Sequence, residues 1–189
     1  RSSDLTKGVA NALDAEVDMI IHCVFKHADG TNDFDEAVAE RIVKQGAYVN
    51  PTLHVFRSRI WILQRKKETD GLTGEEQTEL DDELREFDVR IDNCRRLIEM
   101  GAKVITGSDS SWGTYMLGNT AYETEVLVMA GYSAEQGVYS VTGDAARSLD
   151  MHDKVGTLEP GKEADLLVLD GDPTKDIRDL WNVVDVFLG

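Results

Sequence analysis

Residues 17–25, VDMIIHCVF, are short, β-branched and nearly all apolar, which is the composition of a strand buried on both faces of a sheet. The next stretch has a different period. In residues 33–45, Phe34, Ala37, Val38 and Ile42 recur at helical spacing, and Gly46 stands where a helix stops. Residues 47–53, AYVNPTL, read as a second strand whose ladder ends at Pro51. Residues 54–67 place Phe56, Ile60 and Leu63 on one helical face, and the stripe Leu80, Leu84, Phe87, Ile91, Cys94, Ile98 predicts a long helix closed by Gly101. Residues 102–107, AKVITG, form a third apolar strand.

Outward from this repeat, residues 5–15 read as a helix, as do 120–130 and 134–149, with Ser133 at an N-cap position. Residues 155–158, 164–170 and 182–188 are strand-like, with a turn at Glu159-Pro160-Gly161-Lys162. The last strand has no visible hairpin partner. Parallel strands need helical crossovers, so the strand–helix repeat predicts an α/β fold with a helix-covered parallel sheet and, after it, a small β unit.

Composition narrows the partners. With 20 Lys and Arg against 36 Asp and Glu, the net charge is −16, which disfavours nucleic acid. The acidic run around Glu75–Glu86 reads as a solvated helix face. No apolar run is long enough to cross a bilayer, and no leader precedes the first helix. Two cysteines, Cys23 and Cys94, make no disulfide framework in a chain of 189 residues. The expected setting is cytoplasmic.

Polar groups cluster at the predicted strand ends: His22 after the first, Asn50, Thr52 and His54 after the second, Asp109 after the third, within Thr106-Gly107-Ser108-Asp109-Ser110. In an α/β barrel the C-terminal strand ends open onto one face, where active sites form. Imidazole nitrogen and carboxylate oxygen suit Zn²⁺. By spacing alone, a core histidine and a turn carboxylate explain the same residues.

The order of these segments resembles the amidohydrolase superfamily, particularly its imidazolonepropionase-like and prolidase-like members. Residues 155–173, VGTLEPGKEADLLVLDGDP, look like that family's return from the barrel into its small β-sandwich. Residues 143–149, GDAARSL, resemble the helix before it, with Asp144 where the family usually has Asn. Residues 17–22 are similar to the sixth barrel strand, 50–53 to the seventh, and 105–109 to the eighth. The resemblance implies the C-terminal part of a TIM (β/α)8 barrel over 1–152, with strands six to eight, and part of a composite β-sandwich over 153–189.

The same resemblance implies metal-dependent hydrolysis of an amide-type C–N bond, in a dipeptide or a cyclic amide, using one or two divalent ions such as Zn²⁺. It makes His22 a metal ligand, Asp109 a ligand and proton handler, and Asn50, Thr52 and His54 substrate contacts. The family's His-x-His pair, its carboxylated lysine and its fifth-strand histidine have no counterpart in this sequence. Two donors leave zinc short of the three protein ligands typical of catalytic sites. The expectation is therefore a fragment, inactive alone, whose partners are a small-molecule substrate and the missing N-terminal half of the barrel, with a homo-oligomer allowed. The rival is a stand-alone α/β interaction or regulatory module without catalysis.

Overall fold

The computed structural model describes residues 5–23, 25–110 and 118–189. Its elements run α1 (Thr6–Asp14), β1 (Met19–Ile21), α2 (Glu36–Gln45), β2 (Tyr48–Asn50), α3 (His54–Thr69), α4 (Gly74–Glu99), β3 (Lys103–Val104), α5 (Thr120–Met129), α6 (Ala134–Val141), α7 (Gly143–Ser148), β4 (Leu166–Leu169), a 3₁₀ turn (Ile177–Trp181) and β5 (Val183–Phe187). The fold is α/β.

Strands β1, β2 and β3 lie side by side in that order and are parallel. Ile20 pairs with Val49, and Val49 with Val104. These three side chains are at most 2% exposed and form the centre of the core, together with Val9, Phe25, Ile42, Leu97 and Leu127. The crossovers differ in size. Helix α2 alone joins β1 to β2, whereas a hairpin of two long helices, α3 and α4, joins β2 to β3.

Local chemistry explains the boundaries. Asp35 caps α2 by accepting from the Val38 N–H at 3.0 Å, and Gly46 ends it in the left-handed region at φ 71°. Thr73 and Glu76 form a reciprocal capping box at the start of α4. Ser133 and Gln136 do the same for α6. The acidic face of α4 is solvated and carries ion pairs, including Arg59–Glu79 at 2.7 Å and Lys66–Glu76.

Several expectations are corrected. The strand expected over 17–25 is only three residues long, because the backbone turns left-handed at His22 and Cys23, φ 78° and 47°. Val24, also in that stretch, lies outside the described residues. Nor is the strand buried on both faces: Ile21 is 46% exposed. On α3 the buried face carries His54, Arg57, Ile60 and Leu63, while Phe56 is only half-buried. The helix expected over 134–149 breaks at Thr142, φ −122° and ψ −95°. The strand expected at 155–158 is an irregular bend. Gly156, at φ 94°, packs so tightly on α7 that a Cβ there would meet Ala146 Cβ at 2.6 Å and the Thr142 carbonyl at 3.0 Å. That segment serves packing rather than strand pairing. Finally, β5 does have a partner: it pairs antiparallel with β4, Leu167 opposite Val186.

Candidate functional site

The candidates follow the C-terminal ends of the parallel strands. Beyond β1, the His22 N–H continues the ladder to the Asn50 carbonyl at 2.8 Å. Beyond β2, Pro51 ends the pairing and Thr52 turns left-handed at φ 50°. Beyond β3, the Ile105 N–H donates to the Val49 carbonyl at 2.8 Å, and the chain runs on to Asp109, left-handed at φ 44°. All three strand exits therefore pass through a residue with a side chain in the region that favours glycine. Such conformations cost roughly 1–3 kcal/mol each and persist where the surroundings over-determine them.

His22 and Thr52 touch. His22 Nδ1 lies 2.7 Å from Thr52 Oγ1. When Nδ1–H donates to that hydroxyl, Nε2 keeps its lone pair, which is how a second contact selects a ligating tautomer. Thr52 itself is 2% exposed. Asn50 lies beside them, its side chain folded over Gly107. A Cβ at Gly107 would sit 1.9 Å from Asn50 Nδ2, so only glycine lets the end of β3 approach β2 this closely. Asn50 Oδ1 is buried and has no hydrogen-bond partner among the described residues. Asp109 is exposed, next to Ser108, whose hydroxyl donates to Ser110 Oγ at 3.0 Å.

His54 is elsewhere in character. It is 2% exposed and begins α3. Its Nδ1 accepts from Arg57 Nε at 2.9 Å, and its ring stacks on Tyr122 with centroids 4.7 Å apart. Burial, and secondarily the Arg57 guanidinium, push its pKa down to about 3, so the ring is neutral at physiological pH. Arg57 is buried too. It donates to the Tyr122 carbonyl at 2.7 Å, pairs with Glu125 at 3.4 Å and lies 4.5 Å from the Trp61 ring centroid. Trp181, near the start of β5, joins this group by donating from Nε1 to Glu125 at 2.6 Å.

One residue was missed by sequence reasoning. Glu123 on α5 is fully buried. Its two oxygens accept the backbone N–H groups of Leu53, at 2.8 Å, and His54, at 2.5 Å. Burial raises its pKa to about 7, against the opposing pull of those two N–H donors and Arg57. A signal was present: Glu123 shares a face with Val126, Leu127 and Ala130, all 0% exposed, and an acid in such a stripe calls for a partner.

Behind the edge, Thr106 ties β3 to the later helices. Its Oγ1 lies 2.7 Å from Ser140 Oγ and 3.3 Å from Thr124 Oγ1. Two clefts lie away from this edge. One of about 660 Å³ includes Asp14, Arg41, Tyr48 and Lys103, at the opposite edge of the sheet, and one of about 370 Å³ includes Arg147, His152 and Lys162. Among the described residues, no group of three or more His, Cys, Asp or Glu could hold a metal ion, and no helix is long and apolar enough to cross a membrane.

Known proteins resemble this chain in sequence and fold. Adenine deaminase 2 of Jannaschia sp. (strain CCS1) is 34% identical over 86 residues, covering 45% of this chain and 14% of that protein. Imidazolonepropionase of Thermoanaerobacter pseudethanolicus is 35% identical over 83 residues, covering 41% of this chain and 19% of that protein. A solved Xaa-Pro dipeptidase with methionine bound in its active site superimposes with a TM-score of 0.73 at 27% identity, covering 97% of this chain but 41% of that one. The chain thus spans well under half the length of these relatives. Residues 4–189 match the model of the Amidohydrolase family, and the chain belongs to that family.

Proposed function

We propose that this chain supplies the last three strands of a (β/α)8 barrel, over residues 1–152, and part of a composite β-sandwich, over 153–189, in a cytoplasmic metal-dependent hydrolase of amide-type C–N bonds. The observation that carries the reading is the 2.7 Å contact of His22 Nδ1 with Thr52 Oγ1 just beyond β1 and β2, with Asp109 following β3 of the same parallel sheet and all three residues in the left-handed region. Family membership supports a hydrolase. The similarity to imidazolonepropionases and to an Xaa-Pro dipeptidase favours a cyclic amide or a dipeptide as substrate.

The donor types fit a divalent ion such as Zn²⁺, but the set in this chain is partial. His22 Nε2 and the Asp109 carboxylate would be two ligands, and the strands of the missing N-terminal half would complete the three that a catalytic zinc needs. The ion, when bound, supplies Lewis acidity to the scissile carbonyl and the attacking water. Asp109 takes the proton of that water and returns it to the leaving nitrogen. Thr52 holds the His22 ring through Nδ1, as a partner behind a ligand does. Asn50, folded over Gly107, holds the ends of β2 and β3 together beside the substrate position. His54, buried and paired to Arg57, shapes the wall behind Thr52.

The exposed apolar strands β4 and β5 support the need for further polypeptide: Leu167, Val186 and Phe187 are 53%, 58% and 52% exposed. The test is zinc content and hydrolysis of N-acyl amino acids, dipeptides and cyclic amides by the chain joined to an N-terminal half. We expect one bound zinc or more and turnover, with His22→Ala losing both and Asp109→Ala losing at least about a thousandfold in rate. Full activity in Asp109→Ala would sink the mechanism.

A further inference from the structure

We infer that Glu123 is a positioning residue for His22: by clamping the first backbone N–H groups of α3 it locks the left-handed turn at Thr52, and Thr52 in turn sets the His22 ring. The inference rests on the reading of His22 as a ligand for its meaning, though not for its test.

The start of α3 lacks a local cap. Leu53 occupies the N-cap position and has no side-chain oxygen to offer. Helix starts leave backbone donors unsatisfied, and here two adjacent ones are taken by a side chain 70 positions away in sequence. The two N–H groups are met here by two separate acceptor oxygens on one group. A carboxylate has them, whereas Gln would set an NH₂ against one of the N–H groups. Burying a carboxylate completely is costly, and an N-cap side chain at position 53 would reach the N–H groups of residues 55 and 56, not the two that Glu123 takes. What the distant clamp adds is a fixed spatial relation between α5 and residues 52–54.

That relation matters at Thr52. A β-branched residue at φ 50° is a conformational outlier, and it must be held by its neighbours. On one side stands Pro51, which has no N–H and a fixed φ. On the other stand the two N–H groups that Glu123 grips. The Thr52 hydroxyl that results from this backbone lies 2.7 Å from His22 Nδ1. The chain of contacts is therefore Glu123 carboxylate, Leu53 and His54 N–H, Thr52 turn, Thr52 Oγ1, His22 Nδ1. Arg57, whose charge favours the Glu123 carboxylate, is itself anchored on His54 and Tyr122, so the clamp sits in a rigid wall.

The ring ¹⁵N shifts of His22 in the 189-residue chain report the ratio of its two neutral tautomers without metal or turnover. We expect Nδ1–H to dominate in the unmutated chain. Glu123→Gln should move the ratio by about tenfold, the size of one lost hydrogen bond. Thr52→Val should move it as far, and the double variant no further, as for members of one connected path. A His22 ratio that shifts in Thr52→Val but stays put in a folded Glu123→Gln overturns the inference. Should Glu123→Gln fail to fold, Glu123→Asp keeps the charge and withdraws the oxygens, and an unchanged ratio there is equally fatal. In the unmutated chain, the Leu53 and His54 amides should exchange with solvent as slowly as that of Val49. Exchange at the rate of an open loop would also overturn the clamp. Failure of the ligand reading would appear separately, as absent zinc in the joined protein with the tautomer result intact.

Discussion

The two sheets of this chain have similar composition and opposite surroundings. Strands β1, β2 and β3 read MII, YVN and KV, and β4 and β5 read LLVL and VVDVF. In the first sheet Ile20, Val49 and Val104 are sealed by helices on the way to and from each strand. In the second, every residue of β5 is exposed. An apolar strand therefore announces that a cover is needed and says nothing of where the cover comes from. Crossover helices accompany parallel strands by topological necessity, so the first sheet brings its own cover. An antiparallel pair has no such obligation. It presents edges and apolar faces to whatever lies beyond.

The strongest way to break this comparison is to truncate one phenylalanine in each region. Phe25 is 0% exposed and its ring centroid lies 4.7 Å from that of Phe34, whereas Phe187 is 52% exposed. Phe25→Ala should cost about 3–5 kcal/mol in urea denaturation, and Phe187→Ala less than about 0.5 kcal/mol. A comparable loss at Phe187, with a dependence on protein concentration, would mean that the ribbon is covered in solution by a second copy.

A second contrast is electrostatic, because the core sheet has buried titratable groups beside it. Glu123 has its pKa raised from 4.5 to about 7 by burial. Its contribution to stability is fully present below about pH 4.5 and is lost as pH rises through about 7. His54 has its pKa lowered from 6.5 to about 3 by burial and Arg57. Its contribution is present above 6.5 and fades as pH falls toward 3. Between pH 4.5 and 6.5 the two slopes oppose each other. Glu123→Gln should therefore unmask a rise of about 1–3 kcal/mol in urea-derived stability across that window. Over the same range the His54 ring shifts should stay constant, and a titration near pH 6.5 would contradict its burial.

Smaller effects sharpen the same picture. Ser133→Ala removes one half of the capping box on α6, whose Ser140 supports β3, and should cost about 1 kcal/mol in thermal unfolding. Breaking the exposed Arg41–Asp14 pair, 43% and 68% exposed, with Arg41→Ala should change stability by no more than about 0.5 kcal/mol.

Much of the fold was legible because its elements have local causes. The long stripe of α4, the Gly46 stop, the Pro51 stop and the N-cap at Ser133 are each written within a few residues. Legibility failed where a distant neighbour decides. The strand at 17–25 is cut short by left-handed turns at His22 and Cys23, and the bend at 155–158 by the approach of Gly156 to α7. At the candidate site, reading strand ends singled out His22, Thr52 and Asp109, of which His22 and Thr52 touch across adjacent parallel strands. It gave no access to Glu123, whose partners lie 69 and 70 positions away.

By itself, then, the sequence determined the alternation of strands and helices, the parallel order that this alternation compels, and the placing of polar residues just after the strands. Those properties follow from side-chain period and from the length a crossover requires. The tertiary structure alone decided which His22 nitrogen faces Thr52, which buried acid grips the start of α3, and which apolar strands remain uncovered. These depend on contacts between residues far apart in the chain, where a shift of an ångström makes or loses a hydrogen bond.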